Sequence, residues 1–438
     1  MPDHGSPRQP YTSHPLALGV LTTIFFMWGF LTCLNDILIP HLKSSFQLNY
    51  TEVMLVQFTF FGAYFLMGMP AGRLVAALGY KKGIVAGLAI AGVGALGFWP
   101  AAALHLYPAF LGALFVLATG ITVLQVAANP YVALLGPEKT SSSRLTLAQA
   151  LNSFGTFLAP WFGGLLILSN VVKNPTELAA LAPADQLAYQ AQQAQAVQGP
   201  YIGLAVVLFL LAAFVWLFRL PALAEATDKD DHDRHSFAEV LRHPHVLFGV
   251  LGIFFYVGAE VSIGSFMVNY LSMPDIGHLS EQQAAKYVSY YWLGAMIGRF
   301  VGSALMARIS PRKLLATFAG INALLVLTTM LSSGNVAMYS IIAIGLFNSI
   351  MFPTIFALGI ERLGPMTSKA SSLLIMAIVG GAVVPLLQGL LSDSIGIQHS
   401  FVIPAVCYAF IVWYGLSGSR IREGQGQHAS AQASGVMH

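Results

Sequence analysis

Four ionisable side chains lie where an apolar chain has no evident use for them: Asp36, Glu260, Arg299 and Arg73 fall inside or at the edge of long hydrophobic stretches. An ionised group in hydrocarbon is costly and usually faces a partner or a watery path, so each is a candidate for chemistry. Asp36 is the sharpest. It sits in Asn35-Asp36-Ile37-Leu38-Ile39-Pro40, and a carboxyl there suits uptake and release of a proton as its surroundings change. The bland alternative is a carboxylate capping a neighbouring helix. Glu260, flanked by Gly258 and Ser262, can bond hydroxyl groups, carry a proton, or pair with Arg299, because a buried guanidinium needs an anion nearby.

Neutral polar residues gather around these charges. Gln125 and Asn129 are four residues apart and Gln149 and Asn152 three apart, so on a helix each pair shares a face. Asn35, Asn269, Asn348 and Gln388 add amides, and Trp28 and Trp292 add indoles. Amides both donate and accept hydrogen bonds, and indoles present flat apolar faces. The set suits a neutral polyhydroxylated ligand better than a cationic drug, which favours acids, or a phosphate, which favours several arginines. The competing use for any one amide is helix-to-helix bonding.

The elements that position these residues follow from composition. Only 9% of the 438 residues are charged and 56% are hydrophobic, with mean hydropathy +0.70. A soluble domain carries about 25% charged residues, so the solvent of this chain is lipid. A bilayer core of about 30 Å needs about 20 apolar residues of helix. Twelve segments meet that need, at about 16–40, 51–79, 83–104, 107–136, 143–171, 199–220, 245–272, 285–309, 312–333, 336–361, 366–392 and 398–417. The expected fold is an all-α polytopic membrane protein of twelve transmembrane helices. Lysine and arginine set its orientation. One set of loops holds Lys81, Lys82, Lys139, Arg219, Lys229, Arg234, Arg242, Arg308, Arg312, Lys313, Arg362, Lys369, Arg420 and Arg422, and the other only Lys43, Lys173 and Lys286. Both termini are therefore expected in the cytoplasm.

The halves repeat. Ile24-Phe25-Phe26 with Gly29 matches Ile253-Phe254-Phe255 with Gly258, and Gln125 stands five residues before Pro130 as Asn348 does before Pro353. Gly155, Pro160 and Gly164 recur as Gly380, Pro385 and Gly389. Each match pairs helix n with helix n+6, the sign of a transporter built from two pseudo-symmetric six-helix halves. The halves are expected at 16–220 and 245–417, joined by a cytoplasmic linker at 221–244 and followed by a disordered tail at 418–438. In the linker, Ser236 and Glu239 form a capping box that starts a short helix. Residues 172–198 read as a small helical loop on the opposite side.

Other classes are set aside by what the residues do not form. Cys33 and Cys407 lie in apolar stretches and read as buried small side chains. The Asp and His residues between 228 and 235 lack regular ligand spacing, so a solvated hinge is expected rather than a metal site. No nucleophile-base arrangement or phosphate loop marks an enzyme. No cofactor and no nucleic-acid partner are expected, and no signal peptide, since residues 1–15 are polar. Ala159-Pro160-x-x-Gly163-Gly164 partly matches the end of an antiporter signature, which keeps a proton-driven exporter of small molecules as a rival reading.

The chain resembles the fucose permease branch of the major facilitator superfamily, and within it the bacterial glucose/galactose transporters. The resemblance runs from about 16 to 417 and is carried by Leu34-Asn35-Asp36-Ile37-Leu38-Ile39-Pro40, Ala127-Ala128-Asn129-Pro130-Tyr131-Val132, Leu135-Gly136-Pro137-Glu138, Arg144-Leu145, Ala148-Gln149, Asn152-Ser153-Phe154-Gly155, Tyr256-Val257-Gly258-Ala259 and Phe352-Pro353-Thr354-Ile355-Phe356. It implies a proton-coupled sugar symporter of the bacterial inner membrane working by alternating access; a monomer is expected because one chain already contains both halves. Asp36 then matches the family's protonated aspartate, and Gln149 and Asn152 match amides of its sugar cavity. Gly72-Arg73 with Gly79-Tyr80-Lys81-Lys82 resembles the superfamily's gating loop, and Arg299 joins it as a gating residue. One departure stands out: fucose permeases carry a glutamate where this chain has Gln125, and an amide where it has Glu260. The coupled cation is a proton or, with Asp36 and nearby oxygens as ligands, sodium.

Overall fold

The computed structural model describes residues 15–46, 50–104, 106–166, 198–221, 236–279 and 281–421, with short pieces at 181–182, 184–186 and 188–189. Side-chain surroundings are described for these except at 15, 33–45, 50–54, 57, 160–166, 281–282 and 285. The described residues form helices and turns, with no strand among them. The first six helices are α1 Pro15–Phe46, α2 Tyr50–Leu78, α3 Tyr80–Ala103, α4 Tyr107–Leu134, α5 Ser141–Leu166 and α6 Gln198–Leu217. After a short helix at Phe237–Leu241 come α7 Pro244–Leu271, α8 Glu281–Met306 and α9 Pro311–Leu331. Next, α10 runs as Gly334–Asn348 and Met351–Gly359, and α11 as Thr367–Met376 and Gly380–Ile395. Then α12 covers Ile397–Ser400 and Val402–Trp413.

Nine of these are long and apolar enough to cross a bilayer among the described residues, and a further apolar stretch in α1 covers Leu16–Thr32. The polar character of α5 and α8 comes from Gln149, Asn152 and Ser153 in one and Lys286, Tyr291 and Arg299 in the other. Those two helices pack on each other across the molecule, so Arg299 meets Ser153 and Gln149 rather than lipid.

The last helices are broken where sequence reading gave unbroken spans, and proline accounts for one break. Pro353 has no N–H to offer the carbonyl four residues back, that of Ser349, and α10 is interrupted between Asn348 and Met351. In a bilayer such a freed carbonyl must be met by protein. Arg299 meets it, donating from Nε to Ser349 O at 3.2 Å.

Within each half the repeated glycines make close crossings. On the α1–α5 crossing, a Cβ added at Gly29 would lie 2.1 Å from the carbonyl oxygen of Asn152, and one at Gly155 would lie 2.2 Å from that of Phe26. On the α7–α11 crossing, a Cβ at Gly258 would lie 2.3 Å from Val384 and one at Gly380 2.0 Å from the carbonyl oxygen of Phe254. Small residues let backbones approach this closely, and the packing gained is what holds helices together where lipid is as apolar as leucine. Each half thus repeats one device with one pair of helices, so the fold is two pseudo-symmetric six-helix halves.

Backbone oxygen cannot yield as a flexible side chain can, so Gly155→Val and Gly380→Val are each expected to lose about 3 kcal/mol or more, the upper range of overpacking. Gly112→Ala, with nothing within 4 Å of the added carbon, is expected to be neutral. Thermal unfolding of the detergent-solubilised protein checks the contrast.

Candidate functional site

The two halves meet along α5 against α8 and α2 against α11. Ser143 donates to the Ser303 carbonyl at 2.8 Å and Ser303 donates to the Ser143 carbonyl at 2.9 Å, a reciprocal pair. Ser368 donates to the Gly72 carbonyl at 3.2 Å. A Cβ at Gly72 would lie 2.6 Å from Ser372, and one at Gly68 would lie 2.1 Å from Met376. Glu138, after α4, pairs with Arg362, after α10, at 3.3 Å. Arg362 has φ of 57°, a left-handed conformation uncommon for a residue with a side chain. All these contacts lie toward the end of the molecule that carries the loops at 79, 135–140, 307–310 and 360–366.

The gating residues expected from sequence surround this seal. Gly72 is part of it. Arg73 is exposed and stands 6.0 Å from the centre of the Phe237 ring in the short connecting helix, with Lys369 of α11 also at 6.0 Å. The side chain of Ser236 accepts from Glu239 N at 3.1 Å, the expected cap. Lys81 donates to the Trp216 carbonyl at 2.8 Å and caps the end of α6, while Lys82 is exposed. Arg144 ties the α4–α5 turn by donating to the carbonyls of Val132, Ala133, Gly136 and Pro137, which places Glu138 for its partner.

Deeper in the seam, Arg299 donates from Nη1 across the halves to the Ser153 hydroxyl and, at 3.5 Å, to the Gln149 carbonyl. Gln125 donates to Tyr64 at 2.9 Å, and its Oε1 is buried without a partner among the described residues. The Nε2 of Gln149 is likewise buried and unpartnered, as are both side-chain polar atoms of Asn129. Buried groups left this way cost about 1–3 kcal/mol each, so the described interior of the first half holds unmet hydrogen-bonding capacity. Asn152 differs, because its amide donates to the Phe25 carbonyl at 2.9 Å and fastens α5 to α1. Trp28 is buried with its ring centre 5.2 Å from that of Phe25.

In the second half Glu260 accepts from Tyr256 at 2.7 Å. Asn348 is fully buried and spent: it accepts from Asn322 at 2.9 Å and Tyr408 at 2.7 Å, and donates to Tyr291 at 2.6 Å. Gln388 donates to Ser400 at 3.2 Å, and its Oε1 is buried without a partner among the described residues, as is Oδ1 of Asn322. Trp292 is 41% exposed beside Tyr291, and Asn269 is exposed. Sequence reasoning did not single out as site residues Tyr64, Tyr256, Tyr291 and Tyr408, whose hydroxyls take part in four of these nine bonds. Only the i to i+4 spacing of Tyr256 and Glu260 signalled one of them.

Asn35 and Asp36 are helical residues of α1, but their side chains lie outside the described residues, as do those of Pro160 to Gly164. The acidic and histidine-bearing stretch at 228–235, most of the loop at 172–198 and the tail beyond 421 lie outside them altogether. Among the described residues no cluster of His, Cys, Asp and Glu could hold a metal ion.

Two helical halves, bonded at one end around a seam of unmet amides and charges, define a membrane transporter rather than an enzyme. The family model of the Major Facilitator Superfamily matches residues 17–378, and the chain belongs to that superfamily. It is 52% identical over 408 residues to the glucose/galactose transporter of Brucella abortus biovar 1 (strain 9-941), covering 93% of this chain and 95% of that one. It is 38% identical over 405 residues to the L-fucose-proton symporter of Escherichia coli (strain K12), covering 91% and 92%. Among solved structures it superposes on a Major Facilitator Superfamily transporter, FucP, in the outward conformation, with a TM-score of 0.86, 36% identity and coverage of 93% and 100%.

Two substitutions separate seal from scaffold. Gly72→Leu forces α2 off Ser372, so alkylation of a single cysteine placed at Ser303, with Cys33 and Cys407 replaced by serine, is expected to speed up. Asn348→Leu strips partners from three buried groups and is expected to cost about 3 kcal/mol in thermal unfolding, without speeding that alkylation.

Proposed function

We propose that this protein imports a hexose such as glucose, galactose or fucose together with a cation, by alternating access, across a bacterial inner membrane. The observation that carries this reading is the set of buried, unpartnered amide atoms on Gln125 and Gln149 beside the inter-half seam. A neutral ligand rich in hydroxyls can both donate to Oε1 and accept from Nε2, whereas an ionic ligand would bring charge that these groups do not balance. The names of the relatives, glucose/galactose transporter and L-fucose-proton symporter, agree with a sugar ligand. Asn129, Asn152, Asn269, Gln388, Trp28 and Trp292 extend the ligand surface in this reading, whereas Asn348 acts through helix packing.

The lysine- and arginine-rich loops favour the cytoplasm, which puts both termini there and the seal at the inner face. The described conformation then opens outward, in keeping with its likeness to a transporter solved in that conformation. Asp36 couples the cation, a proton in the first instance and sodium as the alternative, and Glu260 supplies a second carboxyl in the other half. Import proceeds when cation and sugar bind from outside, the α2–α11 and α5–α8 contacts part, and the halves rock. A single chain contains both halves, so a monomer suffices.

Asp36→Asn tests the coupling. It is expected to keep hexose exchange between equal pools within about threefold of wild type, a shift of under one pKa unit in energy terms, while losing accumulation against a gradient. Reconstituted vesicles, run with and without sodium and at two pH values, measure both. Accumulation at the wild-type level by Asp36→Asn removes Asp36 from the coupling role.

A further inference from the structure

Arg299 stands out because each guanidinium nitrogen has a different situation. Nε is anchored in its own half on the Ser349 carbonyl that Pro353 leaves free. Nη1 is committed to the other half through Ser153 and the Gln149 carbonyl. Nη2 has no hydrogen-bond partner among the described residues, and Arg299 forms no ion pair among them. A guanidinium stays charged in any protein environment, and a charge inside a membrane protein needs compensation. The Nη1 bonds belong to α5, so they must break when α5 and α8 part. The helices α7 and α8 are consecutive, antiparallel and packed together in the same half, with Trp292 3.8 Å from where a Cβ on Gly264 would lie. Glu260, on the turn before Gly264, and Arg299, on the second turn after Trp292, therefore lie toward the same end of that contact. The hydrogen bond from Tyr256 to Glu260 lies within α7, where movement of the halves does not touch it.

We propose that Arg299 exchanges partners during the transport cycle, holding Ser153 and the Gln149 carbonyl when the halves are closed at this end and pairing with Glu260 when they open there. Arg299 is thus a positioning residue with two settings, and Glu260 is its receiving anion. The Ser349 carbonyl serves as the fixed pivot. The exchange lets the empty carrier open at this end without leaving a bare cation in the seam. This deepens the transporter reading and rests on it only for the rocking of the halves, not for the identity of the sugar.

The test reads conformation without any sugar. Spin labels at Lys139→Cys and Arg308→Cys, both exposed positions near the facing ends of α5 and α8, report the separation of the halves in lipid nanodiscs, with Cys33 and Cys407 replaced by serine. Glu260→Gln is expected to lower the ratio of long to short separations about fivefold, the size of coupling usual for residues in one bonded network. In an Arg299→Gln background the same change is expected to move the ratio less than twofold. Arg299→Lys, which keeps the charge, restores dependence on Glu260 and serves if the glutamine variant does not fold. A Glu260→Gln distribution indistinguishable from wild type overturns the proposal, as does an equal effect with arginine or glutamine at 299. Hexose counterflow by the wild-type protein is measured in parallel, so absence of sugar transport registers separately from absence of partner exchange.

Discussion

The structure depends on one constraint: in hydrocarbon, every backbone polar group must be met by protein. Regular helices meet it by themselves, so a helix can cross at no cost in hydrogen bonding, but a break cannot. Pro353 creates such a break in α10, and the freed Ser349 carbonyl is met by the guanidinium of Arg299. That single response fixes a cation in the middle of the seam. The cation then needs something on its remaining nitrogens, and it finds oxygen on the opposite half. A local repair of one helix has become a bond between two bodies.

The same constraint explains why the two kinds of contact differ. Inside each half, glycines bring backbones to within touching distance at α1–α5 and α7–α11, and such close-packed surfaces have little room to slide. Between the halves, most contacts are hydroxyls on carbonyls, an exposed ion pair and single glycine faces. Exposed ion pairs are worth about 0–1 kcal/mol, and each neutral hydrogen bond about 1 kcal/mol. Rigid bodies joined by contacts of that size can rock without melting.

Much of this was legible in the sequence. Hydropathy and the placement of lysine and arginine indicated twelve helices, and the glycine repeats pointed to the crossings that hold each half together. The polar residues stand out in the sequence as unusual, but which of their atoms packing satisfies is not written there. Asn348 looked the same in sequence as Gln125 and Gln149, yet it is consumed by packing while they keep free atoms. An amide's role depends on what lies opposite, and helix spacing within one segment says nothing about the facing helix. The tyrosines were missed for a related reason: in an apolar run a ring reads as hydrophobic, and its hydroxyl declares itself only when a partner is in place. Of the inter-half contacts the gating loop named only Gly72; Ser143, Ser303 and Ser368 escaped because their bonds go to backbone carbonyls, which every residue carries.

The ring of Phe237 has a consequence of its own. It lies between Arg73 from the first half and Lys369 from the second, while its short helix packs against α11 and α7. When the halves separate at this end, the ring can remain with only one of them, and its helical neighbours decide which. The short helix Phe237–Leu241 therefore rides as cargo on the second half, and Arg73 is the hand that lets go.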